Sequence, residues 1–291
     1  MHLLLPLLAS VLLVCGLLLI KRAGACGVGP ITTLFFSNVF SAFLFAPMWF
    51  LGGTIQPAGL FYQPGIIASL FFLGLTFTFL AIERGDVSIA TPVLGVKVVL
   101  VAVLVTLITK TQLGISVWCG AFLAMLGIVL IQWTGQAKRS RMWFTIAFAL
   151  LAASSFATFD VLVQTWAPSW GTGRFLPIVY AMVGMASLAL LPWVNWRPLK
   201  DRRVRRLLFL GSLLIALQAL CIVFTVATFG DAARVNVVYA MRGIWSVGLA
   251  WTAAKLWGGA EAELPRAMLA TRAAGAVLLT VAVVVVILNA N

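Results

Sequence analysis

The sequence predicts an all-α integral membrane protein of ten transmembrane helices, arranged as two inverted five-helix repeats, and three observations predict it. The chain is 63% hydrophobic and only 9% charged, more apolar surface than one aqueous core can hide. Its 291 residues divide into ten apolar runs, each near the roughly 20 residues that a helix needs to cross about 30 Å of hydrocarbon. The stretch Gly85-Asp86, leading through Pro92 and Gly95 to Lys97, returns 145 residues later as Gly230-Asp231 leading to Arg242, with Leu104 falling on Leu249 and Lys110 on Lys255.

The runs cover residues 3–20, 30–51, 66–82, 87–108 and 113–133 in a first repeat spanning 1–137, and 142–164, 174–193, 206–228, 233–254 and 267–289 in a second spanning 138–291. The first run has the length of a secretion signal, but no Lys or Arg precedes it, so it reads as a retained transmembrane helix. Glycine and proline punctuate the connectors, as in Gly52-Gly53 and Pro192-Trp193-Val194-Asn195-Trp196-Arg197-Pro198. The connectors leave no room for a soluble domain. The period-two alternation of a barrel strand is absent, so helices must satisfy the backbone in lipid. Trp49, Trp133, Trp143, Trp193 and Trp196 stand at run ends, where interfacial tryptophans belong. Cys15, Cys26, Cys119 and Cys221 have no C-x-x-C spacing and read as small packing residues.

Five spans is an odd number, so the second repeat enters the bilayer opposite to the first, a common build of secondary transporters. Orientation follows from the connectors. Lys21, Arg22, Arg84, Lys138, Arg139, Arg141, six cations between Arg197 and Arg206, Lys255 and Arg266 fall on one side, and only Lys110, Arg174 and Arg234 on the other. Fourteen against three predicts cytoplasmic loops after odd-numbered runs and both termini outside. The net charge of +13 lies between apolar runs instead of over one aromatic-studded face, so nucleic acid is excluded as a partner. Anionic lipid headgroups are the natural contact of the 194–206 connector.

Lys97 and Arg242 lie near the middle of the fourth and ninth runs, where a charge costs about 2.5–3.5 kcal/mol on insertion scales. Two readings stand for them. Either they line a cavity and attract a negative substrate group, or they are structural ion pairs, with Asp160 the one acid well inside a span. Tyr239 and Ser246 share the helical face of Arg242, with Trp245 beside them. Asn38 on the second run and Gln218 on the eighth extend the candidate lining, although small and polar residues also tie membrane helices together. Asp160 is read as a salt-bridge partner, a carrier of a coupling proton, or a group near the outer mouth. Asp86 and Asp231 read as helix caps, and Glu83 as an interfacial acid. The only histidine is His2, and no acid cluster, phosphate-cradling glycine loop or nucleophile with a base is present. No catalytic residue, metal or cofactor is therefore expected.

The segment Leu80-Ala81-Ile82-Glu83-Arg84-Gly85-Asp86-Val87-Ser88-Ile89-Ala90-Thr91-Pro92, joining the third and fourth of ten runs, resembles EamA-type members of the drug/metabolite transporter superfamily. The resemblance covers nearly the whole chain. It implies helices around a central cavity lined partly by the fourth and ninth, in a bacterial inner membrane, with export of amino acids or related metabolites frequent. Two features depart from its pattern: Lys110 stands where many members carry an acid, and the charge count places the termini outside. The expectation is a secondary transporter of a small anionic or zwitterionic metabolite. The alternative is a lipid-handling flippase or accessory subunit that binds anionic headgroups through the 194–206 connector. Expected partners are a small-molecule substrate and membrane lipids, with a homodimer left open.

Overall fold

The computed structural model describes residues 2–83, 87–132, 142–257 and 266–289. The Gly85-Asp86 turn and its cap, Trp133, Arg84, Lys138, Arg139 and Arg141 lie outside the described residues, as do the side chains of Glu83, Lys255 and Arg266. Among the described residues every regular element is helical: α1 (Leu4–Ala25), α2 (Pro30–Phe45, prolonged by a 3-10 turn over Ala46–Leu51), α3 (Tyr62–Glu83), α4 (Val87–Leu94), α5 (Lys97–Leu104), α6 (Ile115–Gln132), α7 (Met142–Trp170), α8 (Thr172–Leu188), α9 (Arg202–Phe229), α10 (Ala232–Tyr239), α11 (Arg242–Trp257) and α12 (Arg266–Leu288).

Eight helices among the described residues are long and apolar enough to cross a membrane, and they correspond to the first six runs, the eighth and the tenth. The seventh run forms a shorter apolar helix, Thr172–Leu188. The ninth is interrupted between α10 and α11 and carries Arg234 and Arg242. Helix ends follow local chemistry. Pro30 opens α2 at a position whose N–H needs no helical partner. Asp201 caps α9, its carboxylate accepting from the Arg203 N–H at 2.7 Å, and Gly230 ends that helix at φ +66°, a conformation natural to glycine. Asp231 caps α10, accepting from the Arg234 N–H at 3.4 Å and its guanidinium at 3.3 Å.

The helices group into two compact units, one of residues 2–72 and 162–230, the other of residues 73–161 and 231–291. Each unit draws on both halves of the sequence, so compactness does not follow the 137/138 boundary read from the repeat.

In the first unit α1 packs on α9, and α2 on α8 and α9. The α1–α9 crossing depends on glycine: a Cβ on Gly16 would lie 3.0 Å from the Gly211 carbonyl oxygen, and one on Gly211 would lie 3.1 Å from that of Gly16. Lipid offers no hydrophobic drive between helices, so close backbone approach and polar ties do the joining. Asn38 donates to Ser187 Oγ at 2.8 Å, and Ser37 to Ser212 Oγ at 3.4 Å. Phe45 stacks on Tyr180 with ring centroids 3.7 Å apart. Trp170, fully buried, donates its indole N–H to Gln63 at 2.8 Å.

In the second unit α6 packs on α12 and on α4, α5, α10 and α11. Glycines again set the spacing: a Cβ on Gly127 would meet the Gly275 carbonyl oxygen at 2.9 Å, and one on Gly95 would meet Ile128 at 2.8 Å. Ala81, Ala90 and Ala149, all fully buried, form a further seam of small residues.

Candidate functional site

The fourth and ninth runs are broken at equivalent places. α4 ends at Leu94 and α5 begins at Lys97; α10 ends at Tyr239 and α11 begins at Arg242. The offset of 145 thus carries α4 onto α10 residue for residue, and each cation is the first residue after its break. Both breaks tighten the chain into three-residue hydrogen bonds. Gly95 donates to Pro92 and Val96 to Val93, each at 3.0 Å; Met241 donates to Val238 at 3.1 Å and Gly243 to Ala240 at 2.9 Å. Pro92 removes one donor from the ladder of α4. Discontinuous helices of this kind border substrate and ion sites in many transporters.

At the first break the Lys97 ammonium lies 2.8 Å from the Asp160 carboxylate on α7, with the side chains 14% and 3% exposed. Asn236 on α10 donates to the same carboxylate oxygen at 2.7 Å and to the Ala232 carbonyl at 2.9 Å. The Phe156 ring, one turn before Asp160, lies 5.7 Å from the ammonium. Lys97 therefore does not stand as an unpaired cation at the same depth as Arg242. The ion pair with Asp160, one of the two readings for Lys97, is present. The reason is electrostatic: in a medium of low dielectric a charge attracts any opposite charge within reach, and a well-bonded pair offsets part of the desolvation cost.

Arg242 is placed differently. Its guanidinium carbon sits 4.6 Å from the centre of the Tyr239 ring, a cation–π contact worth about 0.5–2 kcal/mol. Among the described residues no acid lies within salt-bridge reach of it. The side chain is half-buried and Tyr239 is buried. Asn236 and Tyr239 are three residues apart on α10, so the Lys97–Asp160 pair and the Arg242–Tyr239 pair approach α10 on one face, a turn apart.

The other sequence candidates divide. Ser246, half-buried, donates back to the Gly243 carbonyl of its own helix at 2.7 Å, and Trp245 beside it is half-buried. Asn38 and Gln218 belong to the other compact unit, where the Asn38 bond to Ser187 is a helix tie, the packing role that sequence left open. Gln218 is half-buried on α9. Asn236 on the ninth run, one of the polar residues that the sequence offers for a lining, joins Asp160, whereas Phe156, whose signal is the one-turn spacing to Asp160, escapes the sequence reading. Arg272 stands apart, within the tenth run. The Arg272 Nε is buried without a hydrogen-bond partner among the described residues. Among the described residues no group of three His, Cys, Asp or Glu side chains could hold a metal ion.

The apolar helices define a multi-pass membrane protein. Residues 1–133 match the EamA-like transporter family, part of the drug/metabolite transporter superfamily, and the Leu80–Pro92 segment lies inside that match. A solved structure, described only as the crystal structure of a protein, is similar over 99% of this chain and 98% of its own length, with a TM-score of 0.68 and 15% identity. At that identity the likeness concerns the fold. No curated protein matches the chain.

Proposed function

We propose that the chain is a secondary transporter that moves a small anionic or zwitterionic metabolite by alternating access, with Arg242 as the anchor for the substrate's negative group. The observation that carries this reading is a half-buried guanidinium at a helix break in the ninth apolar run, over the Tyr239 ring and without an acid partner among the described residues. A charge so placed is retained only for a partner or a wet cavity, and arginine holds a carboxylate or phosphate through two parallel hydrogen bonds. The ten-span count, the inverted relation of the repeats, a bacterial inner-membrane location and periplasmic termini complete the proposal. They rest on the run pattern, the 145-residue offset and the cation asymmetry.

The test is ligand-induced stabilisation of the purified protein in detergent. Carboxylates or phosphates are expected to raise the melting temperature and cationic amines are not. Arg242→Gln is expected to unfold cooperatively without ligand but to lose the response, and to lose uptake of the stabilising anion in proteoliposomes. A response that survives Arg242→Gln overturns the assignment.

One observation favours a second reading, contact with anionic lipid. Arg197, Lys200, Arg202, Arg203, Arg205 and Arg206 are all exposed, while Asp201 in their midst is engaged as the cap of α9. Stabilisation by anionic lipid together with indifference to every soluble anion would place the flippase or accessory role first.

A further inference from the structure

We infer that the anion held at Arg242 carries one negative charge and no ammonium group: a monocarboxylate, not a zwitterion or a dianion. The inference rests on the reading of Arg242 as the anchor and narrows the substrate class.

Three ionised side chains meet along one face of α10: Lys97 and Asp160 through Asn236, and Arg242 through Tyr239. The first two neutralise each other at 2.8 Å. Asp160 is 2% exposed, and one of its oxygens receives both the Lys97 ammonium and the Asn236 amide. Its negative charge is thus already matched by Lys97, so a substrate ammonium would meet no unmatched charge there. Lys97, for the same reason, is not available to a second substrate carboxylate. Among the described residues the cluster is left with a single positive charge, on Arg242.

Low-dielectric surroundings penalise whatever net charge remains after binding. One carboxylate brings the cluster to zero. A dicarboxylate leaves it at minus one, and a zwitterion leaves it at plus one with an ammonium facing no free acid among the described residues. The Tyr239 ring centre lies 4.6 Å from the guanidinium carbon, and a guanidinium recognises a carboxylate through two parallel N–H donors.

Butyrate, 2-aminobutyrate and succinate share a four-carbon skeleton and carry minus one, zero and minus two at neutral pH. Thermal stabilisation of the full chain in detergent is expected at concentrations about tenfold or more lower for butyrate than for the other two. Asp160→Asn, which adds one net positive charge, is expected to bring succinate level with butyrate or ahead of it. Equal or better stabilisation by succinate or 2-aminobutyrate in the unmodified protein, or none by butyrate, overturns the charge rule. Arg242→Gln separates the two failures: if it removes a response that follows the wrong charge order, the anchor stands and only the charge rule falls. A response that persists in Arg242→Gln removes both. Should Asp160→Asn fail to fold, the order of the three ligands on the unmodified protein decides alone.

Discussion

Lys97 and Asp160 show how a charge is kept inside a membrane span: each is the other's solvent, at 2.8 Å, with Asn236 as a further donor. Removing one member strands the other, and a stranded buried charge costs more than the intact pair contributes. Lys97→Met is accordingly expected to destabilise the protein by about 3–5 kcal/mol in detergent unfolding, and Lys97→Met with Asp160→Leu to recover most of that loss. Equal destabilisation by the single and double variants would show that the pair is not the source. At this scale the sequence was half legible. It named both residues, because Asp160 is the one acid deep in an apolar run, but both the pair and the substrate site remained open. What decides is which helices pack, and no hydropathy pattern carries that.

Helix ends and breaks were legible where they have a chemical cause. The second run matches α2 and its 3-10 extension from Pro30 to Leu51. The third run begins at 66 by its apolar pattern, yet α3 starts at Tyr62, because Pro64 lies in its first turn, where the missing N–H has no helical role. Pro92 and Gly95 announce the break between α4 and α5. Ala240-Met241, at the other break, contains neither proline nor glycine, and only the 145-residue offset points to it. Packing between helices gives a sharper test. Gly16→Val would drive side-chain atoms into the Gly211 carbonyl and Ile215, and is expected to cost about 1–3 kcal/mol. Gly24→Ala on the same helix meets nothing within 4 Å and is expected to be neutral or to stabilise by up to about 1 kcal/mol. Denaturant unfolding of the pair would expose a mistaken α1–α9 interface by giving both variants the same stability.

Over the whole chain, the repeat is a relation along the sequence, whereas each compact unit takes helices from both halves. Apolar runs tell which segments cross a bilayer. They do not tell which segments touch, because lipid tails and leucine side chains are equally apolar and small or polar residues choose the partners. Gly16 with Gly211 and Asn38 with Ser187 make that choice in one unit, Gly127 with Gly275 in the other. Orientation belongs to the chain as a whole, and the connector cations predict an external C-terminus. A C-terminal alkaline phosphatase fusion is expected to be active and a C-terminal green fluorescent protein dark. The opposite pair of signals would reverse the orientation and leave the helices as they are.

The two interrupted helices also have a mechanical meaning. A segment of eight residues such as α4 or α10 is a stiff arm about 12 Å long. If such an arm tilts by about 20° at its weakened end, its far tip sweeps about 4 Å, while the residue beside the pivot hardly moves. Lys97 and Arg242 are those residues. Either arm can therefore swing while the charge beside its pivot, Lys97 with its Asp160 partner or Arg242, stays nearly in place.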